Sequence, residues 1–114
     1  EPLARYPTAF GHALGAAELA VHGATEVAIV GTRGESGFES LARETASRYV
    51  PSLVLAAGDA DVASASERVP LLRDRGLIDG RAAAYVCRGN VCDAPVSDAR
   101  ALGEQLERAA TRRV

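Results

Sequence analysis

The chain has 114 residues, which is near the common size of one folded domain, so the sequence predicts no second globular unit. It is 47% hydrophobic and 25% charged, and no apolar run approaches the roughly 18 residues that a membrane-spanning helix needs. The formal net charge is −2, without the excess of basic groups that is typical of nucleic-acid binding. The composition therefore predicts a soluble α/β protein with no nucleic-acid and no membrane partner.

The start of the sequence at Glu1-Pro2, without an initiator methionine, looks like the cut edge of a longer chain, and no signal peptide is recognised. The 2 cysteines are therefore expected to be reduced thiols of a cytoplasmic protein, unless something specific pairs them. All 13 basic residues are arginine, a bias that suggests a GC-rich bacterial genome.

A first helix is predicted over Ala9–His22, capped by Thr8 and ended by Gly23. His12 and His22 are interpreted as surface or capping residues, because two histidines without a third ligand do not make a metal site. Apolar residues at helical spacing predict a buried stripe of Phe10, Ala13, Leu14, Ala17 and Val21.

A strand-helix-strand unit is predicted next, and its helix implies a right-handed parallel crossover. Glu26–Gly31 and Ser52–Ala57 are short apolar runs typical of buried strands, the first of them in the middle of the sheet. Between them we expect a helix over Gly37–Tyr49, with Ser36 and Glu39 as a capping box. Its predicted buried stripe is Phe38, Leu41, Ala42, Thr45, Ala46 and Tyr49.

The clearest turn is Gly89-Asn90, a two-residue loop in which glycine takes the positive φ of a type II′ turn. It joins predicted strands over Arg81–Arg88 and residues 91–94, so that Cys87 faces Cys92. Directly opposed residues lie roughly 4.5 to 5.5 Å apart at Cα, which is within the range of a disulfide. The two sulfurs are therefore expected to be neighbours.

The remaining segments predict short turns and a final helix. Asp59 or Asp61 is expected to cap a short helix that ends near Arg68, and Pro70 opens a further turn to Arg75. The fold class predicted from the whole order is α/β, with a small mixed sheet (parallel strand-helix-strand plus C-terminal β-hairpin) and flanking helices in a thioredoxin-like or Rossmann-like three-layer topology. The final helix is expected to be capped by Ser97 or Asp98 and to bury Leu102, Leu106, Ala109 and Ala110.

Four strings in the chain resemble one protein family: PTAFG (residues 7–11), EVAIVG (26–31), RYVPS (48–52) and above all DGRAAAYVCRGNVCDAPVSD (79–98). They are similar to the C-terminal end of large thioredoxin-domain-containing, or spermatogenesis-associated, proteins. Those proteins join a thioredoxin-like domain to a six-hairpin barrel like those of glycosidases and sugar epimerases.

The resemblance implies a domain organisation and a partner. Residues 1–23 would be the terminal helix of the preceding helical barrel, and residues 24–114 a C-terminal α/β domain. The barrel domain of the parent chain would be the partner of this domain. The redox motif of the thioredoxin-like domain and any sugar-site carboxylates would lie upstream, so the resemblance assigns no catalytic residue to this chain.

Cys87 and Cys92 are a possible redox pair. A working dithiol needs partial exposure and a thiolate stabilised by a helix N-terminus or a cation. Arg88 is adjacent, but neighbouring side chains on a strand point to opposite faces, and the C-x-x-C spacing is absent. The alternative is two small buried apolar side chains, or a structural cross-strand disulfide, packing the hairpin against the last helix. A zinc site is not expected, because one C-x4-C pair leaves the coordination incomplete.

Gly31, Gly34 and Gly37 are a possible anion-binding loop, since they follow a strand and open a helix. Their spacing differs from the dinucleotide fingerprint, and the chain has no lysine for a P-loop, so a tight turn without a ligand is the alternative. Asp59, Asp61 and Asp79 show no paired spacing for acid and base catalysis and are interpreted as caps. No cofactor and no catalytic residue is predicted.

The leading hypothesis from the sequence is a non-catalytic C-terminal α/β module that packs against the preceding barrel or recruits a partner. The first alternative is a thiol-disulfide oxidoreductase that uses Cys87 and Cys92. The second alternative is a small nucleotide-binding module at residues 31–37.

Overall fold

The computed structural model of the protein describes residues 2–59 and 67–111. The N-terminal part consists of α1 (Pro2–Arg5), a 3-10 turn (Pro7–Phe10) and α2 (Gly11–His22). The remaining elements are, in chain order, β1 (Thr25–Gly31), α3 (Ser36–Ala46), β2 (Leu53–Asp59), a 3-10 turn (Pro70–Leu72), β3 (Ala83–Arg88), β4 (Val91–Cys92) and α4 (Ala99–Thr111). Within the described residues, no helix is long and apolar enough to cross a membrane.

The strands form one mixed sheet in the order β2-β1-β3-β4. β1 and β2 are parallel, β3 runs antiparallel to β1, and β4 is antiparallel to β3. This arrangement confirms the predicted α/β class, with a parallel strand-helix-strand unit extended by a β-hairpin. The order is consistent with a thioredoxin-like or Rossmann-like fold.

The hydrophobic core lies on both faces of β1, which is the central strand that the sequence predicted. On one face, Val27 and Ile29 pack with α3 and α4 through Leu41, Leu102 and Leu106, all of them fully buried. The other face carries a smaller cluster of Ala28, Val30, Leu72 and Ala83 beneath the second 3-10 turn. Because successive residues of a strand point to opposite faces, the continuous apolar run of β1 supplies both clusters.

The prediction that the second strand is buried was wrong. β2 is at the edge of the sheet with β1 as its one neighbour, and Val54 and Leu55 are each 46% exposed. An edge strand has no second neighbour to cover its outer side, and an apolar run does not distinguish it from a central strand.

The predicted capping box of α3 is not formed. Ser36 is already part of the helix, and no side chain caps the N-terminus through a hydrogen bond. Instead, the Glu39 carboxylate accepts a hydrogen bond of 3.0 Å from the backbone N–H of Gly34. The helix ends at Ala46, before the predicted Tyr49, so the Tyr49 side chain is 87% exposed and Val50 is buried in its place.

An ion-pair cluster joins the outer ends of α3 and α4. Arg48 donates a hydrogen bond of 2.7 Å to the Glu44 carboxylate. Its Nη1 atom lies 3.8 Å from the carboxylate of Glu107. The hydrogen bond to Glu44 raises the pKa of Arg48 above its ordinary value.

The first helix departs most from its prediction. α2 begins at Gly11 after a 3-10 turn, Thr8 caps nothing through its side chain, and no residue of α2 is buried. Gly23 ends the helix as predicted, with φ +75° and its N–H bonded to the carbonyl of Leu19. The described contacts of α2 with the sheet domain lie at its C-terminal end, where Ser52 bonds to Glu18 and Arg88 donates to the carbonyl of His22.

The C-terminal half follows the sequence closely. Gly89 has φ +59°, Arg88 pairs with Val91, and Cys87 pairs with Cys92, which confirms the turn and the register. The second strand of the hairpin is shorter than predicted and ends at Cys92. The short helix expected after Asp61 lies mostly outside the described residues. Asp98 caps α4, because its carboxylate accepts a hydrogen bond of 3.1 Å from the N–H of Ala101.

Candidate functional site

The candidate site is built on one row of residues that crosses the sheet. In the register of the strands, Val54 of β2 pairs with Glu26 of β1, Glu26 pairs with Cys87 of β3, and Cys87 pairs with Cys92 of β4. The neighbouring Val86 packs with the α3 and α4 cluster, so Cys87 points to the opposite face. Cys87 therefore lies on the face away from the α3 and α4 cluster, whereas the alternative drawn from the sequence placed the cysteines against the last helix.

Cys87 and Cys92 are joined by a disulfide, with their Cα atoms 3.9 Å apart. The expectation of reduced thiols is corrected by this bond, and the cross-strand disulfide that the sequence left as an alternative is formed. The environments of the two sulfurs differ, however, because Cys87 is 2% exposed and Cys92 is exposed. The pair is thus half buried and half open to solvent.

Arg75 lies directly beside the disulfide, and no pattern in the sequence indicated it. Its Nη2 atom donates to Cys87 Sγ at 3.2 Å and lies 3.8 Å from Cys92 Sγ. Its Nη1 atom donates to the carbonyl of Leu71 at 2.7 Å, and the guanidinium sits 5.6 Å from the centre of the Tyr85 ring. These contacts fix the cation in one place although it comes from a loop.

Tyr85 also holds the loop that carries Arg75. Its hydroxyl donates to the carbonyl of Gly76 at 2.7 Å and accepts from the N–H of Gly76 at 3.2 Å. Tyr85 lies two positions before Cys87 on β3 and therefore on the same face of the sheet. One strand thus supplies both a disulfide sulfur and the ring that positions the cation.

The charge of Arg75 is not neutralised by an ion pair within residues 2–59 and 67–111. Its Nε atom is buried without a hydrogen-bond partner in the same part of the chain. Arg88, the arginine next to Cys87 in sequence, is instead bonded to the carbonyl of His22. The cation that acts on the sulfurs is therefore Arg75.

A groove of about 650 Å³ opens beside the disulfide. Its floor contains the row across the sheet, and one wall is the segment from Val69 to Leu71. Val54, which is 46% exposed, and Ala56 of β2 also line it, so the groove is apolar apart from Glu26, Arg75 and the hairpin turn.

The three glycines of the possible anion loop have different local environments. A Cβ on Gly31 would lie 2.7 Å from the Cβ of Ala82, which accounts for glycine there by close packing. Gly34 has φ +89°, and its N–H is already bonded to the Glu39 carboxylate, which an incoming anion would have to displace. Gly37 lines a separate groove of about 430 Å³ together with Arg81 and Ser97.

Of the carboxylates and histidines singled out in the sequence, those within the described residues are spread over different elements and turns. Asp59 ends β2 opposite Gly31, Asp79 lies in a turn with φ +50°, and Asp61 is outside the described residues. His22 pairs with Glu18 at 3.6 Å within α2. In the described part of the chain, no three side chains of His, Cys, Asp or Glu are arranged to hold a metal ion.

Comparisons with known proteins give one distant relationship. No family model and no solved structure matches the chain. Human spermatogenesis-associated protein 20 is 28% identical over 99 residues, which cover 86% of this chain and 13% of that protein. The chain is thus a distant homologue of a small part of a much longer protein.

Proposed function

We propose that the chain is a C-terminal α/β module that docks through α2 onto the preceding domain of a longer protein of the spermatogenesis-associated type. The observation that carries this proposal is α2 itself, in which no residue is buried. In the proposal, residues 1–23 pack as the terminal helix of the preceding helical barrel, and through this helix residues 24–114, the α/β module, are attached to the barrel.

The composition of α2 supports burial in a larger assembly. α2 contains one acidic residue, Glu18, and no arginine. The exposed apolar side chains of the helix include Leu14 (38%) and Leu19 (45%). These two residues lie about 140° apart around the helix at 100° per residue. A helix whose apolar side chains are spread this widely is more typical of a protein interior than of a surface.

The remaining surface supports the same role. Tyr6 and Val21 are 58% and 75% exposed, so the apolar surface extends along the whole N-terminal part of the chain. The distant homologue is long enough to provide a covering domain, since the match spans 13% of its length. The occupant that we propose for this surface is the preceding helical domain of the same protein.

The proposal is tested by Leu14→Asp in the intact longer protein and in the 114-residue chain alone. In the intact protein, burying a charge where leucine packs should lower the free energy of unfolding of the docked unit by at least about 2 kcal/mol. In the chain alone the change should be within about 0.5 kcal/mol, because Leu14 lies on an exposed helix there.

Tyr49→Asp is the matched control, since Tyr49 is apolar and exposed but is assigned no contact in the proposal. It should leave the unfolding of both proteins unchanged. The proposal is wrong if Leu14→Asp has no effect on the intact protein, or destabilises the chain alone to the same extent. Thermal or denaturant unfolding followed by circular dichroism gives each value.

A further inference from the structure

The two sulfurs of the Cys87–Cys92 disulfide are unequally accessible. Cys87 is 2% exposed, whereas Cys92 lies on the exposed strand β4. Exchange begins when a thiolate from solvent attacks one sulfur of a disulfide, so the attack is directed to the sulfur that it can reach. In this protein that sulfur belongs to Cys92.

Arg75 lies beside the sulfur that such an attack would release. Its Nη2 atom is 3.2 Å from Cys87 Sγ, which is closer than its 3.8 Å to Cys92 Sγ. A neighbouring cation stabilises a thiolate, and a more stable thiolate leaves a disulfide faster. Because no described carboxylate pairs with Arg75, its charge remains available to Cys87.

We propose that the Cys87–Cys92 disulfide is a thiol–disulfide exchange site, in which an external thiol attacks Cys92 and Arg75 holds Cys87 as the leaving thiolate. The ligand class is an alkyl thiol, carried either by a small molecule such as glutathione or by a dithiol protein. This inference goes beyond the docking role of α2 and does not depend on it.

The exchange balances in two steps. The thiolate of the incoming thiol, whose proton has passed to solvent, bonds to Cys92 Sγ, while the Cys87–Cys92 bond breaks and its electron pair leaves on Cys87. A second thiolate then attacks the incoming sulfur of the mixed disulfide, and Cys92 leaves as a thiolate that is protonated by solvent. The protein disulfide is reduced and two thiols are oxidised to a disulfide; the reverse sequence re-forms the protein disulfide.

The surroundings of the pair suit this exchange. Leu71 and Tyr85 hold Arg75 in position, so the cation is in place before the thiolate forms. The adjoining groove of about 650 Å³ gives an incoming thiol room to approach beside Cys92. Glu26 acts in the opposite direction, because it is paired with Cys87 across the strands and its negative charge disfavours the thiolate.

The first test compares Arg75→Gln with Arg73→Gln, an exposed arginine of the same loop, as the matched control. Reduction of the disulfide is followed by alkylation and mass spectrometry. We expect Arg75→Gln to be reduced about tenfold more slowly, with an equilibrium constant about tenfold less favourable, which is about 30 mV for this couple. Arg73→Gln should stay within about twofold of the unsubstituted protein. A value for Arg75→Gln that matches the control overturns the proposal.

Two reductants separate the possible sources of the thiol. Glutathione and a thioredoxin are used in parallel at matched potential. Reduction by both indicates a general thiol site, and reduction by thioredoxin alone indicates that the site takes a protein dithiol. A disulfide that neither reagent reduces while the protein remains folded overturns the proposal.

Three further variants keep the test decisive if Arg75→Gln does not fold. Glu26→Gln removes the opposing charge and should speed reduction about two- to threefold; an unchanged or slower rate counts against the electrostatic account.

Single variants of the two cysteines decide the direction of attack. Cys92 in Cys87→Ser should react with a disulfide reagent at least about tenfold faster than Cys87 in Cys92→Ser. Equal or reversed rates contradict attack at Cys92.

Discussion

Gly31 is packed so closely that a larger side chain has no room there. An added Cβ would lie 2.7 Å from the Cβ of Ala82 and 3.1 Å from Cδ2 of Phe38, and both neighbours are buried. Gly37, six positions later, is different, because its added Cβ would meet Ala82 at 3.8 Å, an ordinary contact. The two glycines therefore form a matched pair for mutation.

We predict that Gly31→Ala lowers the free energy of unfolding by about 1 to 3 kcal/mol, since overpacking forces the neighbours to shift. Gly37→Ala should be neutral or stabilising by up to about 1 kcal/mol, because alanine in a helix restricts the unfolded chain. Urea unfolding monitored by circular dichroism measures both. Equal losses for the two variants would show that close packing at Gly31 is not what requires glycine.

At the residue scale, the sequence identified the cysteines but not the cation beside them. The pairing of Cys87 with Cys92 followed from one turn and the alternation of a strand, which are local properties. Arg75 is 12 positions from Cys87 and reaches it through a loop held by Tyr85. Such a contact depends on tertiary structure, and one arginine among 13 basic residues gives no local signal for it.

At the scale of elements, the hairpin depends on a single positive φ. Gly89 has φ +59°, whereas Asn90 is not among the described residues with positive φ. A residue with a Cβ is strained by roughly 1 to 2 kcal/mol in the left-handed conformation. The turn should therefore tolerate substitution at its second position much better than at its first.

We predict that Gly89→Ala lowers the free energy of unfolding by about 1 to 2 kcal/mol, and that Asn90→Ala changes it by less than about 0.5 kcal/mol. Both proteins are to be measured with the disulfide formed, so that the cross-link is the same in each. If Asn90→Ala costs as much as Gly89→Ala, the turn in solution is not the type II′ turn described here.

The elements also show where sequence patterns stop being informative. An apolar run predicted β1 and β2 as strands, but it did not reveal that β2 is at the edge, since that depends on which strands pair. Helical spacing predicted α2, but the stripe expected to be buried is not buried against the described sheet domain. Three of the four residues predicted for the stripe of α4, Leu102, Leu106 and Ala109, are buried because they pack on the sheet within this chain, whereas Ala110 is half-buried.

At the scale of the whole molecule, the chain is more extended than a compact domain of its length. Its radius of gyration is 15.7 Å and its extents are 52 × 29 × 25 Å, whereas a compact domain of about 100 residues has a radius near 13 Å. The order of elements predicted the mixed sheet, because a helical connection joins β1 and β2 in parallel and a two-residue turn joins β3 and β4 antiparallel. The extended shape agrees with a helix that lies outside the core of the sheet domain.

The central claim is tested most directly by amide hydrogen exchange of α2, measured in the 114-residue chain alone and in the intact longer protein. Docking predicts that the amides of residues 11–22 exchange rapidly in the chain alone and at least about tenfold more slowly in the intact protein. The amides of α4 serve as the internal control, because its apolar face is buried within the chain. Equal exchange of α2 in both proteins would contradict docking through this helix.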